Sequence, residues 1–168
     1  MKKFIAAFVL ASVSSLASAA VSPFSLPWMN SSPRGDYVSA SHTDGIFVLE
    51  AYFLGCPYCN ENAPNVDELA TAYHNQTNVQ VLDVGIDRAD ADYATWISRH
   101  HPNHPVLKDA NRVVIHQLGT QYYPSTYVVN CRGEVVYSPE AGVWDTNVKA
   151  ALHSAIDNLI AHPCTPVP

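Results

Sequence analysis

Two cysteines separated by two residues, Cys56 and Cys59 in Gly55-Cys56-Pro57-Tyr58-Cys59, are the side chains here best suited to do chemistry. Such a pair can be half of a zinc site or a dithiol that opens and closes a disulfide. A structural zinc site needs two further ligands, commonly at short spacing. The other cysteines, Cys131 and Cys164, are distant singles and do not supply them. The local setting favours redox chemistry. The pair stands between an apolar run and an amphipathic stretch, which predicts Cys56 at a helix N-terminus. Unpaired backbone N–H groups and the helix dipole favour a thiolate there. Pro57 at the first helical position loses no hydrogen bond. Cys59, one turn further in, is expected to be more buried and to resolve a mixed disulfide formed at Cys56.

The elements that must hold this pair follow from the apolar pattern. Residues 46–53 are apolar apart from Glu50, lie between Asp44-Gly45 and Gly55, and read as a buried strand. A helix over about 57–74 would carry Ala63, Val66, Ala70 and Tyr73 on one face. Residues 79–86 form a second strand, interrupted at Asp83. Tyr93, Trp96, Ile97 and His100 mark a short helix after Asp90, and 111–118 a weaker one. Trp96 and Trp144 read as packing residues. Strands at 125–130 and 134–137, joined through Cys131-Arg132-Gly133, give a hairpin. Val148, Leu152, Ala155, Ile156 and Leu159 mark a closing helix capped by Asp145 or Thr146. Residues 20–36, rich in Pro, Ser and Asn, read as an irregular leader, 37–162 as the domain and 163–168 as a tail. Strands alternating with helices and then a hairpin predict an α/β domain, with a mixed central sheet and helices on both faces.

Residues 1–19 read as a cleaved signal peptide. Lys2 and Lys3 precede an apolar run, and Ala17-Ser18-Ala19 has the small-x-small pattern of a cleavage site. The alternative, an uncleaved anchor, is weakened by the serines at 12–18, since a span needs roughly 20 apolar residues. No cysteine follows the cut, so no lipid anchor is expected. The destination would be the periplasm or the exterior, where disulfides persist. Cleavage removes two of nine basic residues and none of fifteen acidic ones, taking the formal charge from −6 to −8. An acidic chain of this kind does not suit nucleic-acid binding.

With these residues in place, the chain resembles the thioredoxin superfamily and, within it, the exported TlpA-like branch, over about residues 24–160. Pro64 stands five residues after the second cysteine, as does the kinking proline of that family's active-site helix. Glu61 and Pro64 together resemble the Cys-x-x-Cys-x-Glu-x-Pro run common in that branch, with two residues rather than one between them here. Glu50 precedes the first cysteine by six residues, matching the family's buried acid. Tyr123-Pro124-Ser125-Thr126 is similar to the segment carrying the family's cis-proline. Two departures are Gly55, where the family usually has Trp, and Pro57-Tyr58, the glutaredoxin dipeptide, from which no glutathione binding is inferred.

The resemblance implies a thioredoxin-like fold, catalysis by Cys56 and Cys59 with Glu50 and Pro124, and a cis Tyr123–Pro124 bond against the dithiol offering backbone groups to a substrate peptide. Tyr122 and Tyr123 would line the substrate groove or only pack the loop. A carboxyl inside an apolar strand resists ionisation, so the pKa of Glu50 should rise, and the neutral acid could trade a proton with Cys59. The plainer alternative is a hydrogen-bonded glutamate without a role. If the strand from Ser125 starts beside the dithiol, Cys131 and Cys164 both finish at the far end, where a structural disulfide would contribute roughly 3–4 kcal/mol.

The expected function is exported thiol–disulfide exchange without a cofactor, in the reducing direction. The branch holds many exported reductases, and the chain has neither a long helical insertion nor a dimerisation region. Its partners would be disulfide or dithiol proteins and an unidentified electron donor or acceptor, and the chain is expected to be a monomer. The alternative is a thioredoxin-like copper or zinc carrier using the same two cysteines; no convincing third ligand is found, and the chain has two Met residues. A binding module that lost turnover is disfavoured by the presence of both cysteines, the acid and the proline. His100, His101 and His104 could bind metal, but two prolines make their stretch an irregular loop in which solvated histidines are equally well explained.

Overall fold

A computed structural model describes residues 20–165. The expected signal peptide lies outside the described residues. The chain forms strands β1 (Ser25–Trp28), β2 (Gly35–Val38), β3 (Ile46–Tyr52), β4 (Val79–Gly85), β5 (Val106–Lys108), β6 (Ser125–Val129) and β7 (Val135–Tyr137). Its helices are α1 (Pro57–Ala72), α2 (Asp90–His100), α3 (Val113–Gln117) and α4 (Thr146–Ala161). One sheet carries all seven strands in the order β2-β1-β5-β4-β3-β6-β7. The inner strands β3, β4 and β5 run parallel, and every other pair is antiparallel.

Every residue of β3 is buried, because both faces of the sheet are covered. Phe47, Leu49 and Ala51 pack with Leu82, Val84 and Leu107 against Val114 and Ile115 of α3. Ile46 and Val48 point the other way, onto Val66 and Leu69 of α1 and Leu152 and Ile156 of α4. Continuous apolar strands of this kind are what a sheet covered on both faces demands. Helix α4 opens on Asp145, whose Oδ1 accepts the Val148 N–H at 2.8 Å. Gly133 closes the β6–β7 hairpin at φ +78°, and a side chain there would strike the Val21 carbonyl.

One stretch departs from the expectation. Residues 20–36 are not an irregular leader: β1 lies within them and pairs with β2 and, at Trp28–Leu107, with β5. Val21, Phe24, Leu26 and Tyr37 join the core on the α3 side. The alternation in β1 is a single buried Leu26 among exposed neighbours, too short to register as a period. Strand β5 was likewise unannounced, being three residues long after His104-Pro105.

Candidate active site

The dithiol sits where β3 ends and α1 begins. Cys56 is the N-cap of α1, and its Sγ accepts the Cys59 N–H at 3.1 Å. Pro57 fills the first helical turn and Pro64 lies inside the helix. Cys56 and Cys59 are joined as a disulfide with Cα atoms 5.2 Å apart. An amide at a helix N-terminus aimed at Sγ is the arrangement that stabilises a thiolate once the bond opens.

The turn before Cys56 is pinned from two sides. Asp87, just after β4, accepts the Leu54 N–H at 2.8 Å. Asn60 donates its amide to the carbonyls of Leu54 and Cys56, at 2.9 and 2.8 Å. Its Oδ1 in turn accepts from Arg99 Nη1 at 2.6 Å and lies 2.9 Å from His100 Nε2. Sequence reasoning missed Asp87 and Asn60, since neither belongs to a pattern; each acts only through a tertiary contact. Gly55 is exposed, and a Cβ there would meet only the Phe53 ring at ordinary contact distance.

Cys56 is not the more exposed thiol, contrary to expectation: both cysteines are 2% exposed. They share a cluster with Met29 from the loop after β1, Tyr52, Tyr93, Trp96 and Val106, and Tyr123 packs against it. The N-terminal hairpin and the loop before β6 therefore close over a helix end that would otherwise face solvent. Tyr58 and Tyr122 remain 62% and 71% exposed. With Tyr123, Glu61, Glu140 and Val143 they line a groove of about 760 Å³ beside the dithiol.

Glu50 is 3% exposed, on the face of β3 that α1 covers. Its Oε1 accepts from the Asn62 amide at 2.8 Å, and its Oε2 from the Thr126 hydroxyl at 2.6 Å. Asn62 follows Cys59 by one helical turn on the buried side of α1. Trp144 closes the network: its indole donates to Thr126 Oγ1 at 2.8 Å and its backbone N–H to Asn62 Oδ1 at 3.0 Å. Trp144, expected only to pack, thus orients both partners of Glu50. Burial pushes the Glu50 carboxyl up to about 7, against the two hydrogen bonds, with the Asp83 charge pushing the same way.

Tyr123–Pro124 is a cis bond, as is Ser32–Pro33. Ser125 pairs with Ala51, so Pro124 lies one step beyond, level with the end of β3 that leads into the dithiol. The Tyr123 ring meets Phe53 edge-on at 5.6 Å. The Pro124 carbonyl accepts the Gly142 N–H at 3.1 Å.

Cys131 and Cys164 form a second disulfide, with Cα atoms 6.1 Å apart, and the Cys131 N–H points at Cys164 Sγ. It lies beyond the end of β6 remote from Pro124, next to an apolar cavity of about 340 Å³ lined by Val21, Phe24, Phe47 and Val129. The histidine run is divided. His100 packs at a tilt against Trp96 and reaches Asn60. His101 is the left-handed cap of α2. His104 is buried rather than solvated, between Asp67 and Asp83. Among the described residues no three His, Cys, Asp or Glu side chains are grouped to hold a metal ion.

Comparison with known proteins places this geometry among relatives. Residues 18–138 match the AhpC/TSA family. The thiol-disulfide oxidoreductase ResA of Halalkalibacterium halodurans is 25% identical over 105 residues, covering 62% of this chain and 58% of that protein. The chain thus spans less than two thirds of that relative's length. Among solved structures, a thioredoxin candidate from Neisseria meningitidis superposes with a TM-score of 0.69 at 25% identity, covering 86% of this chain and 91% of the other. A secreted Mycobacterium tuberculosis disulfide oxidoreductase homologous to Escherichia coli DsbE gives 0.63 at 20% identity, covering 81% and 96%. The fold is thioredoxin-like.

Proposed function

The chain belongs to the AhpC/TSA family, and from that premise we propose that it is an exported thiol–disulfide oxidoreductase that exchanges electrons with protein disulfides through Cys56 and Cys59. One observation carries the reading: the dithiol caps a helix N-terminus, with its inner amide on Cys56 Sγ, and the buried carboxyl of Glu50 is bonded to Asn62, one helical turn past Cys59. In the reducing direction the Cys56 thiolate attacks a substrate disulfide, forming a mixed disulfide and releasing one substrate thiolate. Cys59 gives its proton to the Glu50 carboxylate and attacks Cys56 Sγ. The Cys56–Cys59 disulfide forms, the second substrate thiolate leaves, and two electrons have passed to the substrate. Glu50 then returns its proton as the pair is reduced again.

Tyr123 and the Pro124 ring would seat the substrate segment, with Tyr58 and Tyr122 as the open side of the groove. Pro57, Tyr58 and Pro64 belong to the helix that presents the dithiol. Export rests on the signal-like start of the sequence and on two disulfides in so small a chain, and the secreted Mycobacterium tuberculosis neighbour supports it. The signal segment 1–19 and a domain running on to about residue 162 complete the reading. Partners are disulfide or dithiol proteins and a redox protein that recharges the pair.

Insulin reduction with dithiothreitol, with and without added metal, tests the activity. Turnover that vanishes in Cys56→Ala and is indifferent to chelator is expected; metal binding without turnover would point to a carrier. The working direction is reduction. Equilibration with glutathione should give a potential near or below about −230 mV, and one more oxidising than about −180 mV would place the protein among the oxidants.

A further inference from the structure

Behind Glu50 lies a second acid that this chemistry does not use. Asp83 is the register partner of Glu50 across the parallel β3–β4 pair, so both side chains leave the same face of the sheet. Neither is more than 3% exposed. Two carboxyls on neighbouring strands in a dry layer cannot both ionise without a cation. His104 is in place to be that cation. Its Nε2 stands 3.3 Å from Asp83 Oδ1, and its Nδ1 3.1 Å from Asp67 Oδ1 on α1. Nε2 is poorly aligned on that oxygen, so its hold on Asp83 is chiefly ionic. The other oxygen of Asp83 accepts from Trp96 Nε1 at 2.9 Å. Glu50, by contrast, is held by neutral donors alone, Asn62 and Thr126.

We propose that His104 is a positioning residue for the dithiol reaction: lodged between Asp67 and Asp83, it fixes the negative charge on Asp83 and leaves the proton of the Glu50–Asp83 pair on Glu50. The inference rests on the reading of Glu50 as the proton carrier. The titratable groups on this face are Glu50 and Tyr52 from β3, Asp83 from β4, Asp67 and Cys59 from α1, and Tyr93 and His100 from α2; β6 adds only the Thr126 hydroxyl. His100 is not the cation, since burial and the nearby Arg99 keep its pKa below the usual value. For His104, burial works against the charge, but Asp83 and Asp67 override it and hold the imidazolium up to about 9. The sheet thus carries a paired acid beside a spare one, and the spare one is held by α1, the helix that begins at the dithiol.

The test reads Glu50 directly. Carboxyl 13C signals of the full oxidised chain are followed against pH, and Glu50 is assigned by its loss in Glu50→Gln. In His104→Gln the pair shares one proton without a cation, and the Glu50 midpoint rises by about one pH unit. In Asp83→Asn the like charge is gone and the midpoint falls below that of the parent. In the Asp83→Asn background, His104→Gln has a much smaller effect. His104→Asn serves if His104→Gln does not fold. A parent midpoint in whichever of these two variants folds overturns the proposal. So does a rise of equal size in the Asp83→Asn background. If instead these shifts occur but Glu50→Gln leaves the pH profile of Cys59 alkylation unchanged, Glu50 is not the proton carrier; the charge placement stands and its link to the dithiol reaction fails.

Discussion

The two ends of the sheet each carry a disulfide, and the bonds sit in opposite settings. Cys56–Cys59 closes one helical turn, is buried, has an amide aimed at one sulfur, and shares its helix with Asn62, which holds a buried carboxyl whose pKa is raised to about 7. Cys131–Cys164 ties residues 33 apart and is partly exposed; the Cys131 N–H also points at one of its sulfurs, at 3.0 Å, but from a hairpin rather than a helix N-terminus. The same covalent bond is prepared for cleavage in one place and for fastening in the other. What differs is the supply of groups that stabilise a thiolate and move its proton.

The largest expected effect breaks that comparison on the active side. Cys56→Ala takes insulin reduction down to the uncatalysed rate, while Cys59→Ala leaves covalent mixed disulfides that a non-reducing gel displays. Replacing Cys131 and Cys164 together by Ser does the reverse. Turnover stays within about twofold, and unfolding in urea shows a loss of roughly 3–4 kcal/mol by the chain-entropy account. A turnover loss comparable with that of Cys56→Ala would show that the far bridge is not merely a fastening.

Glu50 gives a third, pH-dependent difference. Its carboxyl keeps its proton to about pH 7 in the folded chain but only to about 4.5 when unfolded. Between these values the folded state binds more proton, so this group lowers stability as pH rises through the window. Glu50→Gln removes the effect. Relative to the parent, the variant should gain up to about 3 kcal/mol between acid below 4.5 and buffer above 7. Urea midpoints at the two ends of that range check it, and parallel curves would contradict it. The smallest effect is expected at the far end. Arg132 pairs with Glu134 at 2.9 Å on an open surface, and Arg132→Ala should leave the urea midpoint where it was.

How much of this was legible in the sequence depends on how far apart the partners lie along the chain. The strands at 46–52 and 79–85, the helix from Pro57 and the Asp145 cap are local patterns, and the structure has them within a residue or two at their starts. The dithiol is likewise a local spacing, whereas Glu50 and the Tyr123–Pro124 segment were singled out through the resemblance to the thioredoxin superfamily. The β1–β2 hairpin was missed because its strands are four residues long with one buried side chain each, so that pairing rather than periodicity makes them strands. Met29 over the cysteines, Trp144 on Thr126 and His104 on Asp83 were invisible for a different reason. Each joins residues from elements that only the folded sheet brings together, and no residue type announces such a partner.

The order of the strands has one more consequence, for a protein proposed to handle other polypeptides. The outermost strands are β2 and β7, and an extended visiting chain would seek to pair there. Neither is a good template. Strand β2 has four residues, begins at Gly35, and carries the exposed Asp36 next to Arg34. Strand β7 has three, with the β6–β7 register slipping between Val128 and Val129, and it runs straight into Ser138-Pro139. A passing unfolded chain finds three or four backbone groups in a row at most on either border. The molecule can therefore offer an adhesive tyrosine-lined groove at one end without its flanks seeding aggregates.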